Sequence, residues 1–178
     1  NGFLVEVGKS MSVVPVDMIE ECVEFSTESG HDYDNLRGQV LQFIRMRTLF
    51  DVDVKAPIRG QLLGVARAFF GLMMSGEALG MHRTLVASSQ QSPKLAKLCW
   101  EAGPMQVQAA LAEMLQKEGA ARKLHIADTR RAASQFFALL KGEHHARMLF
   151  GCGQASAEEA EAHLEATVDM FLRAYGPR

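Results

Sequence analysis

LHIADTRRAASQFFALLKG, residues 124–142, decides how the rest of the chain reads. The Asp128 carboxylate can accept from the free N–H groups of a first helical turn, which makes it an N-cap. Ala132, Ala133, Phe136, Phe137, Leu139 and Leu140 follow at helical spacing and form one apolar stripe. Arg130, Arg131, Ser134, Gln135 and Lys141 fall on the other side. Gly142 ends the run, as a residue tolerant of positive φ does. An amphipathic helix with both ends marked needs other apolar helices to cover it.

Working outward, the neighbours supply them. Residues 57–74 predict a helix with Leu62, Val65, Ala66, Phe69, Phe70 and Met73 on one side. Gly60, Gly64, Ala68 and Gly71 line a second face, where small side chains leave room for close backbone approach or for a ligand. Residues 76–89 predict the next helix, carrying Leu79, His82, Leu85 and Val86. Ser92 and Pro93 start a short one bearing Leu95, Leu98, Cys99 and Trp100, and it ends at Gly103. Pro104 opens a helix with Val107, Leu111, Met114 and Leu115 that closes at Gly119. HHARMLFG is a further short helical piece. Ser156 and Glu159 have capping-box spacing ahead of Ala160, Leu164, Val168, Phe171, Leu172 and Tyr175, and Gly176-Pro177 ends that last helix. Six or seven helices with short connections make an all-α domain.

Residues 1–55 read differently. NGFLVEVGKSMSVVPVD has strand-like apolar residues without clean alternation. Residues 17–25 suggest a short helix, residues 26–38 a polar loop, and residues 36–50 a second helix. Five basic residues stand here against ten acidic ones, a net −5, while residues 56–178 carry 14 against 11, a net +3. An acidic first third is a poor surface for a polyanion.

Composition bounds the class. At 178 residues, 48% of them apolar, the chain has enough for one sizeable core. No apolar run reaches membrane-span length and no signal peptide pattern is visible at the start, so the expectation is a soluble protein without a membrane partner. Cys22, Cys99 and Cys152 are odd in number and scattered, which fits free thiols in a reducing, cytoplasmic setting. Ten methionines suit adaptable packing or a ligand surface.

Taken in order, TLF at 48–50, LGMHRTLVASS, SPKLAKL, EAGP, the stretch at 124–142, RMLFG and VDMFLRAYG resemble the C-terminal regulatory domain of TetR-type transcriptional regulators. The resemblance runs from about Leu49 to Gly176. It implies an all-helical homodimer whose last two long helices pack against their twins, and a cavity for a small apolar effector. It also implies that effector binding alters the spacing of two N-terminal helix-turn-helix heads on operator DNA. The domain boundary expected is 1–52, an irregular segment in the place of that head, and 53–178, the ligand-binding and dimerisation domain. Residues 1–48 do not match a helix-turn-helix. Either the head has been lost, diverged or replaced, or the stretch is translated from a shifted reading frame. Operator DNA is a partner only if a helix-turn-helix is present.

The candidate cavity residues are Phe69, Phe70, Met73, Met81, His82, Trp100, Met105, Phe136 and Phe137, with Met74 beside them. Core packing explains each one singly; the resemblance favours a cavity for the set. His82 on an apolar face reads as a hydrogen-bonded core histidine. His144 and His145 are adjacent, so on a helix they point about 100° apart and cannot grip one ion together. Cys99 and Cys152 lack zinc-site spacing, and no metal or cofactor is expected. No GxSxG, HExxH, phosphate-binding loop or dinucleotide fingerprint occurs, which argues against an enzyme. Ala160, Leu164, Val168, Phe171 and Leu172 are the candidate dimer interface, where one patch would meet itself. The alternative function is a stand-alone helical dimer that binds a small molecule or protein without touching DNA; an all-α enzyme is the outside reading.

Overall fold

The computed structural model describes residues 2–7, 10–15, 33–36, 39–42, 49–90, 93–121 and 124–176. The chain divides into two compact units, Asn1–Ile44 and Arg45–Arg178. In the first, β1 (Gly2–Val7) pairs antiparallel with β2 (Ser10–Pro15), and β3 (Tyr33–Leu36) with β4 (Gln39–Gln42). The helix expected from residue 36 is thus replaced at its start by a strand pair. The helix expected over 17–25 lies outside the described residues.

The second unit is all helical: α1 (Ile58–Met73), α2 (Gly76–Ser88), α3 (Pro93–Ala102), α4 (Pro104–Ala120), α5 (Thr129–Leu149) and α6 (Ala157–Tyr175). Leu49 is buried in the core of this unit, with Phe50 and Val52 packed alongside. Asp128 caps α5 as read, its Oδ1 accepting from the Arg131 N–H at 2.9 Å. Ser75, which the sequence reading did not single out, caps α2, its Oγ accepting from the Ala78 N–H at 3.1 Å. Ser156 and Glu159 close a reciprocal capping box at 2.9 and 3.1 Å. Ser92 and the side chains of Leu95 and Leu98 lie outside the described residues.

α5 packs most extensively on α4, and α1 on α6. Leu62, Val65, Leu111, Leu115, Phe136, Leu140 and Val168 are wholly buried between them. Contacts between aromatic rings join three of the helices, Phe69 to Phe137 tilted at 4.4 Å and Phe136 to Phe171 edge-on at 5.0 Å. Exposed ion pairs, Arg59–Asp169 at 2.8 Å and Arg67–Glu161, lie along the α1–α6 seam. Of the small residues on α1, Gly64 is the one used for close approach: a Cβ there would lie 2.8 Å from Val52 Cγ1. α5 is interrupted at Gly142, whose φ of 47° and ψ of −151° are outside the helical region. The piece expected from HHARMLFG is therefore the second half of α5.

Candidate functional site

The segment at residues 50–54 lies along the side of α1. The Gln61 amide, on a side chain only 2% exposed with its residue, donates to the carbonyls of Val54 (3.2 Å) and Ala56 (2.8 Å). Those bonds fix Val52 and Val54 opposite α4. Between them opens a groove of about 640 Å³. Phe50, Val52 and Val54 form one wall, and Val107, Ala110 and Met114 of α4 the other. Gln106, Glu113, Lys117 and Glu118 add polar groups along α4. Apolar walls with a few hydrogen-bonding groups are the chemistry of a small-molecule site.

None of the residues expected to line a cavity lies in this groove. Phe69, Phe70, Phe136 and Phe137 are buried in the core, and Met73 packs partly against it. His82 is half-buried with its ring edge-on to His145, centroids 5.2 Å apart. Met81, Trp100 and Met105 are 47%, 53% and 45% exposed. Helical spacing identified these side chains as apolar-face residues. It carried no information on which of them the next helix would cover.

The residues expected at a dimer interface pack as follows within the one chain. Leu164, Val168 and Phe171 are buried in their own chain's core, with Ala160 and Leu172 packed against it. α6 spends its most regular stripe on α1 and α5. The face it leaves open carries Ala162, Ala166 and Met170, and α5 leaves Leu139 partly open.

The groove escaped the sequence reading because its two walls are about 55 residues apart and each looks unremarkable alone. Phe50, Val52 and Val54 alternate at period two, which was its one local signal. A second cluster was also missed. His82 and His145 form one ring pair, and His144 and His163 form another at 4.8 Å. Phe70 contacts both members of the latter at 6.0 and 6.1 Å. His163 Nε2 also lies 3.0 Å from the Leu140 carbonyl, beside the Gly142 interruption. Cys99 and Cys152 are free thiols. Among the described residues no single helix is long and apolar enough to cross a membrane.

Residues 60–177 match the family model described as the AefR-like transcriptional repressor, C-terminal domain. Among solved structures, the chain is similar to a TetR-family transcriptional regulator from Mesorhizobium loti. The identity is 27% and the TM-score 0.66, over 74% of this chain and 64% of that one. It is likewise similar to the flavonoid-responsive regulator FrrA, at 28% identity and a TM-score of 0.68, over 75% of this chain and 70% of that one. A TetR regulator from Agrobacterium tumefaciens, at 23% identity and a TM-score of 0.56, shares the fold over 76% of this chain and 61% of its own. No curated protein matches. The chain thus spans less than two thirds of the first of these regulators. With the helical order, the capped ends and the match over 60–177 agreeing, the chain belongs to the TetR-type transcriptional regulators, and it carries their C-terminal domain.

Proposed function

We propose that this chain is the effector-sensing and dimerising part of a TetR-type regulator, and that its effector is a small, flat, largely apolar molecule with a few hydrogen-bonding groups. The groove between the 50–54 segment and α4 carries this reading. Its volume of about 640 Å³ suits a molecule of that size. Phe50, Val52, Val54, Val107 and Met114 would cover an aromatic face, and Gln106, Glu113 and Lys117 would meet hydroxyl or carbonyl groups at its rim. The similarity to a regulator described as flavonoid-responsive supports aromatic polyphenols as the first class to try. The groove also borders the chain that enters the domain from its N-terminal side. An effector there would bias how that chain leaves α1, and its differential affinity for two arrangements would be the signal.

A homodimer through the open faces of α5 and α6, with Leu139, Ala162, Ala166 and Met170 at the contact, completes the reading. A stand-alone sensor without DNA binding is the second reading. The net −5 of residues 1–55 favours it.

Thermal unfolding of the full chain with a flavonol such as quercetin tests the site. A ligand at 100 times its Kd raises stability by about 2.7 kcal/mol. The expected result is a raised Tm that Ala110→Phe, which fills the groove, abolishes while leaving the ligand-free Tm near the original. Equal stabilisation of the wild type and Ala110→Phe would show that the groove is not the site. Salt-dependent binding to DNA upstream of its own gene separates the regulator from the stand-alone sensor.

A further inference from the structure

The junction between α2 and the second half of α5 is held by unusual means. His82 of α2 meets His145 of α5 edge to edge, centroids 5.2 Å apart. One residue on, the Arg83 guanidinium donates to the Met148 carbonyl at 2.7 Å and the Leu149 carbonyl at 3.1 Å, at the C-terminal end of α5. The second half of α5 is itself uncoupled from the first by the non-helical backbone at Gly142. His145 is only 6% exposed, and its Nε2 is buried with no hydrogen-bond partner, as is His144 Nδ1.

We infer that the His82–His145 contact is an acid-sensitive latch: a neutral His145 imidazole lets α2 close on residues 143–149, and its protonation releases them.

The groups that bear on His145 work in one direction. Burial first, then His82, then Lys141 hold His145 below its ordinary value of 6.5. Arg83 follows His82 on α2 with its guanidinium on the Met148 and Leu149 carbonyls, and Arg147, two residues past His145 on α5, bears on Glu159. On the α6 side, His144 and His163 form their own pair, and Glu159 is the carboxylate that feels His144. Its own value is lowered chiefly by the Ser156 backbone, then by Arg147 and His144, so it stays ionised throughout this range. Compensation is therefore available to the His144 side, while His145 faces His82 and Lys141. The sign follows from linkage. Above 6.5 both the folded and unfolded chains hold this imidazole neutral. As pH falls below 6.5 the unfolded or opened form takes the proton first, so closure weakens until the folded form's depressed value is reached. One proton steepens the opening equilibrium by up to about tenfold per pH unit. The latch is independent of the groove and of any effector.

Hydrogen exchange of the full chain between pH 7.5 and 5.5, corrected for intrinsic rates, tests it. The expected result is a loss of protection in α2 and residues 143–149, approaching tenfold per pH unit, while residues 129–141 keep theirs. His145→Gln, which titrates nowhere in this range, should flatten the dependence, and the exposed control His125→Gln should not. If His145→Gln does not fold, the half-buried His82→Gln takes its place, because removing the opposing imidazole should also reduce the slope. Protection falling equally in 129–141 and 143–149, or an unchanged slope in the folded variant, would overturn the inference.

Discussion

Replacing Gly142 by alanine tests the most distinctive backbone feature of the domain. At φ 47° and ψ −151° the residue occupies a region essentially restricted to glycine. Holding an alanine there costs about 1–3 kcal/mol. The new Cβ would also lie 3.0 Å from His163 Cε1 and 3.3 Å from Nε2, the ring whose Nε2 lies 3.0 Å from the Leu140 carbonyl. Moving that ring forfeits a hydrogen bond worth about 1 kcal/mol. Two effects oppose this loss. Alanine has a higher helix propensity than glycine by about 1 kcal/mol, and it narrows the unfolded ensemble by up to about 1 kcal/mol. Propensity counts only if α5 straightens, however. Straightening swings residues 143–149 away from α2, which breaks the Arg83 bonds to Met148 and Leu149 and the His82–His145 contact. The strain terms win, for a net destabilisation of roughly 1–3 kcal/mol. Urea unfolding measures it directly, and a Tm lower by several degrees accompanies it. Gly71→Ala is the internal control, because a Cβ there meets nothing within 4 Å and α1 is helical throughout. It should stabilise by up to about 1 kcal/mol. If Gly142→Ala is neutral or stabilising like Gly71→Ala, the account of the α5 interruption is wrong.

Phe136→Ala should cost about 3–5 kcal/mol by urea unfolding, since the wholly buried ring touches both Phe137 and Phe171 and the helices around it cannot collapse into its place. Ser156→Ala should cost about 1 kcal/mol by removing one half of the α6 capping box. The other half has its own pH signature. Glu159 is held below its usual 4.5, above all by the Ser156 backbone N–H, so its contribution is complete above that value and is lost as pH falls through the lowered one. A wild-type profile of stability against pH that lacks this loss below 4.5, or shows it unchanged in Glu159→Gln, would count against the box. The Glu159 loss sets in below 4.5 and the histidine latch starts to weaken below 6.5, so one pH series separates their onsets.

The helix starts of this domain were legible because they are local. Asp128 and Ser156 each satisfy an N–H three residues on, and a spacing of three is visible in any sequence. The apolar stripes were legible for the same reason, and Phe136, Phe137, Leu164, Val168 and Phe171 all reached the core. What periodicity could not carry was the identity of the covering surface. The stripe of α6 marks a face to be buried. Whether its own chain or a second copy buries that face depends on where α1 and α5 lie. Trp100 illustrates the converse: an apolar side chain on an amphipathic helix that the fold leaves more than half exposed.

By itself, then, the sequence determined the helices, their ends, the interruption at Gly142 and the family. Each of these follows from interactions within a few residues or from an ordered series of such segments. Tertiary structure alone decided three further things. It laid Val52 and Val54 against α4 to make the groove. It brought His82, His144, His145 and His163 from three helices into two ring pairs. It also turned the α6 stripe inward, leaving Ala162, Ala166 and Met170 outside. Those contacts join residues tens of positions apart, and they exist only once helix packing has chosen which faces meet.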